Sequence, residues 1–107
     1  MSFGRHFVRK IKQTAQFKRD LKREVKGLHR TTLEADLLSV IEALAADVAL
    51  HVKHRDHALT GNWKHYRDCH VRPDLVLIYR LIDGDGTEND PGILVLARLG
   101  SHSQLTL

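Results

Sequence analysis

With one cysteine, Cys69, the chain cannot close an internal disulfide, and such usage suits a reducing compartment. No apolar run approaches the ~18 residues that a membrane-spanning helix requires. Arg5, Arg9, Lys10 and Lys12 crowd the first residues, where a signal peptide would carry an apolar stretch. A cytoplasmic location and no membrane partner are therefore expected. There is no internal repeat and no sign of a second domain. The 107 residues are 42% apolar and 28% charged, an ordinary soluble composition, so residues 1–107 are expected to form a single domain. A chain of this length buries roughly two-thirds of its unfolded surface without staples.

Charge is present in quantity but unevenly placed. Residues 1–30 hold ten Lys or Arg against Asp20 and Glu24, a local balance of +8, while the remainder is at −4. A block this basic attracts polyanions through counterion release, which makes nucleic acid the leading partner class. A merely solvated helix face is the alternative.

Taken in order, His6 to Gln13 reads as a short edge strand. Thr14 is placed to N-cap a helix in which Phe17, Leu21, Val25 and Leu28 recur at helical spacing, ended by Gly27. Lys18, Lys22 and Lys26 fall on one stripe of it. Thr31 and Glu34 have the spacing of a capping box, and a second helix is expected to run to about Leu50. Its apolar face would be Leu33, Leu37, Ile41, Leu44 and Val48. Two such faces need a sheet to lie on. His51 to His57 reads as a polar connector, and Asn62 to Val71 as a strand. Arg72-Pro73-Asp74 is a turn, Leu75 to Ile82 a strand buried on both faces, Asp83 to Gly92 a solvated loop, and Ile93 to Leu99 another central strand. The expectation is an α+β domain in the order β-α-α-β-β-β, two helices covering an antiparallel sheet.

Two metal-like patterns fail on spacing. His51, His54 and His57 recur every three residues, but this is no recognised closed zinc site, and the lone Cys69 provides no Cys-x2-Cys pair. The acidic run from Asp83 would need Gly at its sixth position and Glu at its twelfth to hold calcium; it has Glu88 and Leu94. No metal and no cofactor are expected.

A more informative set is His57, His70, Asp74, Arg98 and His102. Each has an ordinary explanation when taken alone. If the strands at Leu75 and Leu99 pair antiparallel, however, the residues flanking the start of one and the end of the other meet at one edge of the sheet. Histidine changes protonation near neutrality, and arginine suits a phosphate. Acid, base and phosphate partner together are what metal-free RNA cleavage requires.

The run Asp56-His57-Ala58-Leu59-x-Gly61-x-Trp63-Lys64-x-Tyr66-Arg67-Asp68-Cys69-His70-Val71-x-Pro73-Asp74 is long and ordered. It is followed by Leu77-x-Tyr79 and by Arg98-Leu99-Gly100-Ser101-His102-Ser103-x-Leu105. Together these stretches closely resemble the YafQ branch of the RelE/ParE superfamily, the toxin halves of bacterial type II toxin–antitoxin systems. The resemblance implies a RelE-like microbial RNase fold and metal-independent cleavage of mRNA in the ribosomal A site. It also implies neutralisation by a cognate antitoxin. By position it puts the catalytic set on His57, His70, Asp74, Arg98 and His102, with His102 as proton donor to the leaving group. Lys18, Lys22, Lys26, Lys64 and Arg67 are the expected nucleic-acid contacts. Two positions depart from the pattern: Leu75 stands where the family often has Trp, and the tail after His102 lacks an aromatic residue. Alternatives are a protein of this fold that binds an antitoxin with little cleavage, and a non-enzymatic nucleic-acid-binding module.

Overall fold

The computed structural model describes residues 8–107, so Arg5 and the His6–Phe7 start of the expected first strand lie outside it. The elements are β1 (Lys10–Gln13), α1 (Ala15–Glu24), α2 (Leu33–Ala45), β2 (His57–Ala58), β3 (Arg67–Arg72), β4 (Leu75–Ile82) and β5 (Ile93–Gly100). Two single turns of 3-10 helix, Val52–His54 and Gly61–Trp63, flank β2. The strands form one sheet in the order β1-β5-β4-β3-β2. The expected α+β architecture is present, with two differences of detail. β1 pairs with β5 parallel rather than antiparallel, and the connector contributes a fifth strand, β2, opposite β3.

Local chemistry accounts for the element ends. Thr14 caps α1: its hydroxyl accepts from Phe17 N at 3.0 Å and donates to Ala97 O at 2.8 Å. The helix stops at Glu24, short of the expected Gly27. Val25 and Leu28 are 50% and 79% exposed, so further turns would bury nothing, and helices are held chiefly by tertiary packing. At α2 the expected Thr31–Glu34 box does not form. Thr32 takes the N-cap position without a capping bond, and its hydroxyl instead accepts from Arg72 Nη2 at 3.1 Å. Nor does α2 reach Leu50. It ends at Ala45, whose carbonyl accepts from Arg9 N at 2.9 Å, and Asp47 turns left-handed at φ 56° with Arg9 Nε on its carboxylate at 2.9 Å.

The helices cover one face of the sheet. Phe17, Leu33, Leu37, Val40 and Leu44 pack there against Cys69, Leu75, Leu77, Tyr79, Leu94, Leu96 and Leu99. Val40 replaces Val48 in the expected stripe, because Val48 lies beyond the helix and is exposed. The opposite face has a smaller core of Val76, Ile78, Ala97 and Leu105, flanked by Leu59, Trp63 and Tyr66. Among the described residues no helix is long and apolar enough to cross a membrane.

Candidate active site

Strand pairing builds the site on the face away from the helices. His57 lies opposite Asp68, Asp68 opposite Ile78, and Ile78 opposite Arg98. In the next row His70 lies opposite Val76, and Val76 opposite Gly100. Side chains alternate along a strand, so Asp68 and His70 share a face with Val76 and Ile78, whereas Arg67 and Cys69 point to the helix side. A β-bulge follows His70 on β3, and the His70 carbonyl accepts from His54 Nδ1 at 2.7 Å.

The chain beyond β5 brings in His102. Ser101 and Gln104 close a turn, with Ser101 N donating to Gln104 Oε1 at 2.8 Å and Gln104 N to Ser101 Oγ at 3.1 Å. Leu105 anchors the tail in the small core at 1% exposure. The imidazole of His102 then lies against that of His70, with ring centroids 4.9 Å apart and planes at 60°. A cleft of about 450 Å3 opens here, with His57, Trp63, Asp68, His102, Thr106 and Leu107 on its wall.

The connector is pinned before it delivers His57. The buried Tyr79 hydroxyl donates to Asp56, and Arg67 Nε donates to the same carboxylate oxygen at 3.2 Å. His57 Nδ1 lies 2.7 Å from Arg55 O. A carbonyl only accepts, so Nδ1 carries a proton and the basic nitrogen of the neutral ring is Nε2.

Two groups have shifted acidities. Burial pushes the Asp68 carboxyl above the ordinary carboxylate range, although His57, His70 and His102 pull it the other way. Its Oδ1 is buried and has no hydrogen-bond partner: His57 Nδ1 is 3.2 Å away, but its N–H serves Arg55 O. Burial also lowers the pKa of His70, helped by the neighbouring His102 and opposed by Asp68, so His70 is held toward its neutral form.

Three of the five expected residues therefore come together: His57 and His102 line the cleft, and His70 lies against His102. The other two lie near the same end of the sheet but are engaged elsewhere. Asp74 is in the β3–β4 turn with its carboxylate 2.6 Å from His29 Nε2. The Arg98 guanidinium reaches over the edge of β5 to Asp20 on α1. Lys18, Lys22 and Lys64 are exposed, Lys26 lies past the end of α1, and Arg67 is tied to Asp56 on the other face. Asp68 is the residue that the sequence reading passed over. Its signal was available, since a residue two before His70 on a strand must share its face.

The three regularly spaced histidines do not converge. His51 Nδ1 accepts from Lys53 N, His54 serves His70 O, and His57 serves Arg55 O. Among the described residues no group of three or more His, Cys, Asp or Glu is arranged to hold a metal ion.

A family profile described as "Bacterial toxin of type II toxin-antitoxin system, YafQ" matches residues 9–107. The mRNA interferase toxin YafQ of Escherichia coli strain K12 is 33% identical over 97 residues, covering 91% of this chain and 95% of that protein. Among solved structures, the Escherichia coli DinJ-YafQ toxin-antitoxin complex matches with a TM-score of 0.74 and 33% identity, over 92% of this chain and 98% of that one. A metal-bound toxin from Helicobacter pylori matches with a TM-score of 0.74 and 37% identity, over 92% and 99%. The motif, the sheet order and these full-length similarities agree, and the chain belongs to the YafQ family of bacterial type II toxin–antitoxin toxins.

Proposed function

We propose that the protein is an endoribonuclease that cleaves mRNA on the ribosome, without a metal, by attack of a ribose 2′-OH on the adjacent phosphate. The observation that carries this reading is the pair His57 and His102 on the wall of one cleft, with Asp68 between them and His70 behind His102. In-line attack needs a base and an acid on opposite sides of the phosphorus. His57 Nε2 takes the 2′-proton while Nδ1–H stays on Arg55 O. The 2′-oxygen bonds to phosphorus, the bond to the 5′-oxygen breaks, and His102 protonates that leaving oxygen. The products are a 2′,3′-cyclic phosphate and a 5′-hydroxyl. His70, kept neutral by burial, orients His102, and Arg98 offsets charge on the phosphorane. Asp74 joins only when it releases His29. Each acid–base group contributes roughly 10²–10⁴-fold.

The exposed Lys18 and Lys22 on α1, with Lys26 and Lys64, fit contact with the RNA backbone. The related Escherichia coli toxin is solved with DinJ, and a cognate antitoxin is the corresponding partner here. The protein then acts in the cytoplasm, where its substrate is. The test is cleavage of one mRNA by purified protein, with and without ribosomes positioned on it. Cleavage confined to the ribosome-bound message, and suppressed by the antitoxin, is the expected result. Equal cleavage of free RNA would remove the ribosome from this reading, and no cleavage of either would remove the nuclease.

A further inference from the structure

The outer edge of β5 holds a polar cluster apart from the histidine cleft. β1 pairs only with Ile93 to Leu96, so the backbone from Ala97 to Leu99 has no strand on that side. α1 supplies the missing partners. Leu99 N donates to Asp20 Oδ2 at 2.9 Å, and Arg23 Nη2 donates to Leu99 O at 2.7 Å. Asp20 is buried at the centre. It also accepts Arg98 Nε at 2.7 Å, Arg98 Nη2 at 3.3 Å and Arg23 Nη1 at 3.3 Å. Burial alone would raise its pKa, but the Arg98 and Leu99 bonds outweigh that and hold it ionised, below the usual carboxylate range.

The geometry of the fork matters. A guanidinium offers a side-on pair, Nε–H with one Nη2–H, and an end-on pair, Nη1–H with the other Nη2–H. Asp20 takes the side-on pair. Among the described residues nothing takes the end-on pair. Arg98 sits in the same cross-strand row as Ile78 and Asp68, and Asp68, at the other end of that row, lines the cleft.

We propose that Asp20 is a positioning residue for Arg98, fixing its side-on fork so that the end-on pair is presented to a phosphate of the RNA. This rests on the reading of Arg98 as the phosphate-binding group. An unrestrained arginine has many rotamers to lose when it meets its phosphate, and a carboxylate that fixes it beforehand removes that cost. The helix that carries Asp20 also exposes Lys18 and Lys22, so one rigid element both meets the RNA backbone and aims the arginine.

A double-mutant cycle tests this. Single-turnover cleavage of ribosome-bound mRNA is measured for wild type, Asp20→Asn, Arg98→Ala and the double variant, all well below their lowest melting temperature. Arg98→Ala is expected to slow cleavage by roughly 10²-fold or more. Asp20→Asn, which keeps an acceptor for Leu99 N, is expected to slow it roughly tenfold, the scale of ordering one long side chain. In the Arg98→Ala background it should add nothing. Asp20→Glu, which keeps the charge, should fall between wild type and Asp20→Asn only while Arg98 is present. The same factor for Asp20→Asn in both backgrounds would overturn the positioning role and leave Asp20 a brace for the edge of β5. A wild-type rate for Arg98→Ala would overturn the reading of Arg98 itself.

Discussion

His102→Gln is expected to slow mRNA cleavage by roughly 10²-fold or more, the scale of one general acid, while leaving melting temperature and antitoxin binding unchanged. The imidazole does little for the fold. It is exposed, and its ring contact is with His70. The tail is held instead by Leu105 in the small core, by the Ser101–Gln104 bonds, and by Leu107 N donating to the His102 carbonyl at 2.9 Å. All of these survive the substitution. If His102 supplies the proton to the 5′-oxygen, the defect should nearly vanish on a substrate whose leaving group is a nitrophenolate, which departs without one. Near wild-type rates on both substrates would move the acid role to His70. An equal loss on both would mean that His102 positions the phosphate rather than protonating the leaving group.

Asp68→Asn is expected to trade activity for stability. The wild-type carboxyl is buried, its Oδ1 has no hydrogen-bond partner, and its pKa is raised chiefly by burial. A raised folded-state pKa means that the folded protein binds the proton more tightly than the unfolded chain does. Its contribution to stability is therefore complete below the unfolded-chain pKa and is lost as pH rises through the folded-state value. Above that, folding has to bury an ionised group whose Oδ1 accepts no hydrogen bond, a cost that His57, His70 and His102 offset only in part. Asn never ionises, so it escapes the cost of burying a charge there, and the variant should be more stable than wild type at pH values above the raised pKa of Asp68. The difference should shrink toward acid. Denaturant unfolding across pH 3–8 reads this directly. Cleavage should fall by roughly 10²-fold, because Asp68 Oδ1 lies 3.2 Å from His57 Nδ1 and its negative charge no longer faces the ring that takes up the 2′-proton. A variant that cleaves normally and gains no stability at neutral pH would remove Asp68 from the site.

The sequence was most legible where one physical signal dominated. The apolar run Leu75–Ile82 could only be a central strand, and β4 has these bounds. Thr14 before the periodic Phe17 and Leu21 announced the start of α1. The ends of the helices were less legible because tertiary contacts decide them. Val25 and Leu28 keep helical spacing but stay largely exposed, and the carbonyl of Ala45 accepts from the backbone N–H of Arg9, 36 residues upstream. The Thr32 hydroxyl accepts from Arg72, forty residues away, which no local capping rule could reveal. Likewise the gathering of His57, His70 and His102 followed from order and strand pairing. The capture of Asp74 by His29 and of Arg98 by Asp20 depends on how the helices lie across the sheet. Leu75 shows the same limit. It stands where the family often carries a tryptophan, yet here it is a core residue at 1% exposure.

The chemistry of the cut ends tests the central claim most directly. mRNA is cleaved on ribosomes by the purified protein, which is stripped of metal and held in a chelator that leaves the ribosomes intact, and both new termini are then identified. Attack by the 2′-OH with His57 and His102 as base and acid predicts undiminished cleavage, with a 2′,3′-cyclic phosphate on one fragment and a 5′-hydroxyl on the other. A 3′-hydroxyl with a 5′-phosphate, or cleavage that returns only when a divalent metal is added back, would contradict it.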